Sequence, residues 1–211
     1  MDSFFDTCVV INYGTFSKLV ENILTKKCYL YIVNKKDKFL LGNYIEGEIK
    51  IRINKRRVIY QEVINKLIHS EYDFEKSPFF LDLNDKDKNQ VRRLYQINEK
   101  RDSFEMKQIF AEDQAVFETK IERFLKFLVD ERLIAIEEIK PTLMSIMRSE
   151  GFTNPDSKVI TSALQAQQGR GIFFFVTADD HFSPNSYNFL KDDPKLSEYK
   201  FPILKNFLYE N

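Results

Sequence analysis

The chain has 211 residues, of which 43% are hydrophobic and 30% are charged, and its 32 basic side chains balance its 32 acidic ones. These proportions are typical of a globular domain and exclude an intrinsically disordered chain. The length predicts one domain, residues 1–211, with an enlarged helical region. A net charge of zero excludes a global attraction to nucleic acid, so any such binding has to come from local patches.

The start of the chain predicts an intracellular protein. Met1 is followed by Asp2 and then by an apolar run, whereas a signal peptide begins with basic residues. No apolar run reaches the roughly 20 residues that cross a bilayer, so no membrane partner is expected. Cys8 and Cys28 lack metal-site spacing and indicate no disulfide framework. We therefore expect a cytoplasmic protein.

The first segment predicts a strand followed by a helix. Residues 4–11 are almost continuously apolar and rich in β-branched side chains, as in a strand buried on both faces of a parallel sheet, and Asp6 is their one charge. After a turn at residues 12–14, a helix is predicted that carries Phe16, Leu19, Val20 and Ile23. Between Cys28 and Val58 the pattern predicts short strands at 29–33 and 49–53.

Helices are predicted for most of the middle of the chain. A short strand at 57–59 leads into a helix from Gln61 to His69, which places Glu62 in the first helical turn. Helical periodicity continues over residues 85–98 and 104–131. These segments make up the enlarged helical region that the length predicts.

Proline and glycine residues mark the predicted helix ends in the last third of the chain. Pro141 opens a short helix that Gly151 ends, and a second helix begins at Asn154 and Pro155 and ends near Gly169 and Gly171. Residues 172–176 carry no charge and predict a central strand. The tail after Phe182 predicts irregular structure and a final short helix.

Isolated acids stand near the predicted strand ends and helix starts. Ligand sites in parallel sheets form outside the carboxyl ends of strands, and burying Asp6 without a partner would cost several kcal/mol. Gathered carboxylates repel one another unless a cation compensates them, and oxygen ligands suit magnesium or manganese. Each acid also has a purely structural explanation, as a surface, turn or first-turn helix residue. We predict one cation site from Asp6, Glu62, Asp156 and Asp179, with Asp180 as a competing ligand and His181 as support or surface.

Four segments resemble the PIN domain family of metal-dependent nucleases. The matching segments are Phe4–Thr7, Tyr60–Val63, Pro155–Leu164 and Phe175–Phe182. The resemblance implies an α/β fold, a three-layer α/β/α sandwich with a mainly parallel central sheet. It further implies that Asp6, Glu62, Asp156 and Asp179 bind one or two Mg²⁺ or Mn²⁺ ions, that Thr177 supports them, and that the substrate is single-stranded or structured RNA. Relative to the family, residues 77–150 resemble a helical insertion or divergent helices. Cys8 departs from the family pattern, which often has Asn or Ser there.

Basic residues predict phosphate contacts that position RNA without reading its bases. They are Lys50, Arg52, Lys55, Arg56 and Arg57, with Arg92 and Arg93 as a second patch. The first run is equally explained as protective charge on a solvated strand edge.

Two other functional classes compete with the nuclease. The first is a catalytically inactive PIN-fold module that binds RNA or assembles with proteins through the middle helices. The second is a phosphatase of the haloacid dehalogenase type, which needs an acid two residues after the first one, where Cys8 stands instead. The predicted binding partners are RNA, an antitoxin or other regulatory protein, and a second copy of the chain.

Overall fold

The structure, a computed structural model that describes residues 1–17 and 22–210, contains a parallel sheet. Five strands lie in the order β3-β2-β1-β4-β5, and every neighbouring pair is parallel. The strands are β1 (Asp2–Phe5), β2 (Lys38–Gly42), β3 (Glu131–Leu133), β4 (Phe174–Thr177) and β5 (Ile203–Asn206). This sheet confirms the predicted α/β class and is compatible with the predicted three-layer sandwich.

The strand order defines a topological switch point. Phe4 of β1 lies opposite Leu40 of β2 on one side and Phe175 of β4 on the other. The chain therefore builds the sheet outward from β1 in one direction and then, after β3, in the other direction. Right-handed crossovers place the connecting helices on opposite faces in such an order, and the carboxyl ends of β1 and β4 border the crevice where ligands usually bind.

Helices connect the strands and form most of the remaining chain. The α-helices of the described residues are α1 (Thr7–Thr15), α2 (Ile23–Val33), α3 (Ile45–Ile68), α4 (Pro78–Leu81), α5 (Asp85–Asn98), α6 (Ser103–Arg123), α7 (Pro141–Ser149), α8 (Asn154–Arg170) and α9 (Pro184–Asp192). A π-helical turn, Phe124–Leu128, continues α6, and a short 3₁₀ turn, Asp180–Phe182, follows β4. Within residues 1–17 and 22–210, no helix combines the length and apolarity needed to cross a bilayer.

The chain divides into two compact units. The first, which we call the sheet unit, comprises residues 1–48 and 120–211, and the second, the helical unit, comprises residues 49–119. The helical unit begins well before the insertion expected at residues 77–150. Whether the two units count as one domain stays a prediction.

Aromatic side chains fill the core of the sheet unit. The Phe5 ring centroid lies 4.6 Å from that of Phe39 and 6.0 Å from that of Phe124, and all three side chains are fully buried. On β4, Phe175 packs edge-on against Phe182 at 5.1 Å. Burial of each phenylalanine contributes about 1.5–3 kcal/mol, so these rings stabilise the strands that precede the acids.

The helical unit has an apolar core of its own. Val63 of α3, Phe80 of α4, Val91 of α5 and Phe110 of α6 are all buried in it. The rings of Tyr60 and Phe110 stack with centroids 4.4 Å apart. Its helices therefore have a packing basis that does not depend on the sheet.

The predicted strand over residues 4–11 is wrong beyond Phe5. The strand β1 ends there, and α1 begins at Thr7, because Asp6 is extended (φ −80°, ψ 149°) and its carboxylate accepts a hydrogen bond from the Cys8 amide. An aspartate in this position caps a helix by satisfying an amide that has no partner in the helix. The β-branched residues Val9 and Val10 then become buried helix positions.

The strands predicted between Cys28 and Val58, and the strand at 57–59, are also wrong. Residues 29–33 lie in α2, while 49–53 and 57–59 lie in the long helix α3. These residues have side chains that favour strands, but they form a helix because Ile49, Ile59 and Val63 then lie on one buried face. Of the helix predicted after residue 14, Phe16 caps α1, Ile23 opens α2, and Leu19 and Val20 lie outside the described residues.

The helix limits predicted from proline and glycine in the last third of the chain are confirmed. The helix α7 begins at Pro141, and Gly151 follows it at φ +92°, while α8 ends at Arg170 and is capped by Gly171 at φ +77°. Such positive φ values favour glycine and terminate helices. The predicted helix at 85–98 is α5, the helix at 104–131 ends at Leu128, and the strand at 172–176 is β4, shifted by about two residues. The edge strand β5 was missed.

Candidate functional site

The carboxyl ends of the two central strands meet at Asp6 and Thr177. The Asp6 amide donates a 3.0 Å hydrogen bond to the Val176 carbonyl and so extends the pairing of β1 with β4 by one residue. The Thr177 hydroxyl donates to the Asp6 carboxylate at 2.7 Å, and the Cys8 thiol donates to the same oxygen at 2.9 Å. Thr177 therefore holds the Asp6 carboxylate in place, and its support of a bound metal stays a prediction.

Asp6 is a buried acid whose charge no basic side chain of the described residues neutralises. Burial raises the pKa of Asp6 to about 6, the hydrogen bonds from Cys8 and Thr177 oppose this rise, and the negative field of Asp179 adds to it. A carboxylate that is costly to ionise in this place would gain much from a nearby cation.

Two further acids and one histidine converge beside this pair. Asp156 lies in the first turn of α8, where the helix dipole favours a negative charge, and Asp179 follows β4. The His181 Nδ1 atom lies 2.9 Å from an Asp179 carboxylate oxygen and 3.4 Å from one of Asp156. One potential ligand atom from each of the three residues lies within 4.8 Å of the other two. This convergence is the arrangement that a shared cation requires.

The electrostatics of these side chains reflect their crowding. Burial raises the pKa of Asp179, and the charge of Asp156 adds to this rise. Burial opposes a charged His181, but the fields of Asp156, Asp179 and Asp180 together outweigh it and raise the pKa of the imidazole. The hydrogen bond with Asp179 lowers the pKa of Asp180, whose side chain is 80% exposed. His181 is thus the counter-ion that the chain itself supplies to these carboxylates.

Glu48 is an acid of this region that the sequence reasoning missed. One of its carboxylate oxygens accepts a 2.6 Å hydrogen bond from the Thr7 hydroxyl, next to Asp6, and the other pairs with Lys158 Nζ at 2.6 Å. Burial raises the pKa of Tyr44, and the fields of both Glu48 and Asp6 add to this rise. Glu48 lies in the first turn of α3 directly after β2, so correct identification of that strand would have revealed it.

Glu62 occupies a different environment, within the helical unit. Its side chain is 1% exposed, and its two carboxylate oxygens accept hydrogen bonds from the Tyr72 hydroxyl at 2.9 Å and the Ser77 hydroxyl at 2.8 Å. These bonds give the buried carboxyl group a structural explanation inside its own unit. A metal-binding role for Glu62 stays a prediction.

The predicted phosphate-binding residues fall into two groups. Four of them form ion pairs with acids of the helical unit: Lys55 with Asp87, Arg56 with Asp113, Arg57 with Glu118 and Arg92 with Glu75. The other three, Lys50, Arg52 and Arg93, are exposed and have no ion-pair partner among the described residues. The available positive charge of this set is therefore confined to those three. Lys50 and Arg52 lie on a helix and not on the strand edge that the sequence predicted.

The donor set of the site fits a hard divalent cation. Within the described residues, the ligand atoms that come together belong to Asp156, Asp179 and His181, that is, two carboxylates and one imidazole, and Asp6 and Glu48 are not members of this group. Carboxylate oxygens suit Mg²⁺ or Mn²⁺, whereas an imidazole nitrogen would also accept zinc. Bound by these acids, a cation would lower the electrostatic cost that burial imposes on Asp6.

Comparison of the chain with protein-family models, with curated proteins and with solved structures finds no match.

Proposed function

We propose that this protein is a metal-dependent endoribonuclease that hydrolyses phosphodiester bonds. The observation that carries the proposal is the convergence of Asp156 and Asp179 near Asp6, at the switch point of a parallel sheet. These acids come from separate parts of the chain, and a bound cation would offset the repulsion between them that His181 alone does not balance. Glu48, in the first turn of α3, adds a further carboxylate next to Asp6 through its hydrogen bond with Thr7.

Asp156 and Asp179 would hold Mg²⁺ or Mn²⁺, with Asp6 and Glu48 on the side of the site toward β1. A bound ion of this kind activates water and offsets negative charge on the phosphate. Thr177 fixes the Asp6 carboxylate through its 2.7 Å hydrogen bond, and Lys158 holds Glu48 in place. His181 balances the charge of Asp156 and Asp179 through its exposed imidazole.

RNA is the proposed substrate because exposed cations without internal partners are present on the chain. Lys50, Arg52 and Arg93 supply such charge on the helical unit. Contacts of this type bind phosphates independently of sequence. A cytoplasmic location, a regulatory partner such as an antitoxin, and a homodimer stay predictions that accompany this proposal.

Cleavage of labelled single-stranded RNA tests the proposal. We expect the wild type to cleave with Mn²⁺ or Mg²⁺ and to stop in EDTA, and we expect Asp156→Asn and Asp179→Asn to lose cleavage while remaining folded. Asp192→Asn is a matched control because it makes the same charge change at an exposed residue at the end of α9. Asp180→Asn reports whether Asp180 replaces Asp179 as a ligand. Cleavage by Asp179→Asn at the wild-type rate would exclude the assignment.

The second candidate function is an inactive module that binds RNA or protein. It is favoured by apolar side chains that the helical unit exposes, among them Phe79 at 66%, Ile97 at 58% and Phe104 at 76%. Large exposed apolar residues often mark interaction surfaces. A wild type that is inert with both metals, yet binds RNA or a protein and loses that binding on Phe104→Ala, would favour this function over the nuclease.

A further inference from the structure

A cavity of about 560 Å³ adjoins the acidic site in the sheet unit. Asp180 and His181 form part of its wall, so the cavity continues from the place where the proposed function puts the scissile phosphate. Its volume is within the range of about 300–1,000 Å³ that is usual for small-ligand sites. A group bound here would be attached to, or next to, the reacting phosphate.

Aromatic rings line this cavity. Phe189 of α9 is 66% exposed, although it belongs to a helix that buries Tyr187 and Leu190. Phe152 stacks on the fully buried Phe182, with ring centroids 5.4 Å apart, and is thereby held in place. Exposed or half-exposed rings next to a phosphate site are suited to stacking against unpaired bases.

Polar groups lie in the same cavity. Asn185 precedes Phe189 by one helical turn on α9, so the two residues share a face of that helix, and both line the cavity. Glu150 contributes a carboxylate that Lys195 contacts at 3.3 Å. Amide and carboxylate groups can form hydrogen bonds with the edge of a nucleobase.

We infer that this cavity, which we call the base pocket, receives one unpaired nucleobase of a single-stranded RNA, stacked on Phe189, with Asn185 and Glu150 at the base edge. The inference rests on the proposed function for its placement beside a scissile phosphate. A base within a duplex has its faces and pairing edge covered, so the pocket selects single strands.

Oligonucleotide binding tests the base pocket. The probes are a single-stranded RNA decamer that contains 2-aminopurine and the same sequence in a duplex, bound to the full chain with Ca²⁺ and followed by anisotropy and by 2-aminopurine fluorescence. We expect quenching on binding of the single strand, and about tenfold weaker binding without quenching for Phe189→Ala. Phe189→Trp should restore both signals, and duplex binding should not change.

Phe127→Ala serves as the matched control because Phe127 is 75% exposed in the same unit but does not line the cavity. If the wild type cleaves RNA with Mn²⁺ and Phe189→Ala binds RNA as tightly as the wild type, the base pocket would be overturned and the nuclease proposal would stand. If the wild type never cleaves RNA but Phe189→Ala still loses RNA binding, the nuclease proposal would be overturned and the base pocket would stand. Absence of RNA binding by the wild type would overturn both.

Discussion

The hydroxyl of Thr177 lies 2.7 Å from a carboxylate oxygen of Asp6 and donates a buried hydrogen bond to it across 171 residues of sequence. The same hydroxyl accepts a 3.2 Å hydrogen bond from the Asp179 amide. One threonine therefore links the acid that follows β1 to the backbone of the acid that follows β4. The geometry of the candidate site depends on this link, and it leads directly to two predictions about stability.

The first prediction concerns the charge of Asp6. Folding raises its pKa from the ordinary value of 3.8 to about 6, so the folded chain holds the proton more tightly than the unfolded chain does. The stability due to protonated Asp6 is fully present below about pH 4 and is lost as the pH rises through about 6, at a cost of roughly 3 kcal/mol. In EDTA at pH 8, we expect Asp6→Asn to be about 1–3 kcal/mol more stable than the wild type, and at pH 4 equal to it.

Urea unfolding at both pH values measures this difference. Asparagine also caps helices well, so the substitution preserves the start of α1. A variant that is less stable than the wild type at pH 8 would mean that the chain already compensates the Asp6 charge.

The second prediction concerns Thr177→Val, which has nearly the same shape but no hydroxyl. Losing the hydroxyl deprives a buried carboxylate of a donor, and we expect a loss of about 1–3 kcal/mol at pH 8. We also expect roughly 10–100-fold weaker Mn²⁺ affinity or cleavage, as for other residues that orient metal ligands.

Thr161→Val is the control for Thr177→Val. Thr161 is fully buried in α8, and its hydroxyl has no hydrogen-bond partner among the described residues. Its removal should be neutral or stabilising, because no bond is lost and a buried polar group disappears. Equal losses for the two variants in urea unfolding would argue against a specific role for the Thr177 hydroxyl.

The third prediction separates the two glutamates. Glu48 contacts Thr7 beside Asp6, whereas both oxygens of Glu62 accept hydroxyl hydrogen bonds within the helical unit. We expect Glu48→Gln to weaken Mn²⁺ binding and slow cleavage at least tenfold, and Glu62→Gln to leave both unchanged. Calorimetric titration of Mn²⁺ and RNA cleavage measure these effects. A loss of Mn²⁺ binding and cleavage in Glu62→Gln but not in Glu48→Gln would instead support Glu62 as the metal ligand that the PIN resemblance implies.

The fourth prediction concerns the basic residues of the helical unit. We expect Lys50→Ala combined with Arg52→Ala to weaken RNA binding, and to reduce the dependence of its affinity on salt by about one unit of slope per lost phosphate contact. Arg57→Ala combined with Arg92→Ala removes the same charge from residues that are already paired with Glu118 and Glu75, so a smaller effect is expected. Affinity measured from 50 to 200 mM salt would distinguish the pairs, and equal slopes would contradict this division.

Sequence reasoning predicted the fold class well, and it predicted well the two elements that carry or precede Asp156, Thr177 and Asp179. The helix α8 and the strand β4 have strong signals, because proline, glycine and an uncharged apolar run delimit them. Asp156, Thr177 and Asp179 follow from those limits, and their mutual closeness follows from the parallel sheet.

The N-terminal half was predicted poorly because local preferences there disagree with packing. Residues 29–33 and 49–53 are rich in Tyr, Ile and Val, which favour strands, yet they lie in helices. The real strand β2 has only five residues and stands beside a lysine-rich turn. Since β2 was not identified, Glu48 could not be placed, and a metal-binding role for Glu62 stays a prediction.

The pairing of β1 with β4 has a consequence for how the chain folds. Phe4 and Phe175 lie side by side although almost the whole sequence separates them. During synthesis, the N-terminal strand has one open edge until the ribosome has released β4, and contacts of such long range form slowly. Closure of the sheet, and with it assembly of the acids, should therefore be among the last events of folding, and a nascent chain that stops short of β4 should be prone to aggregation.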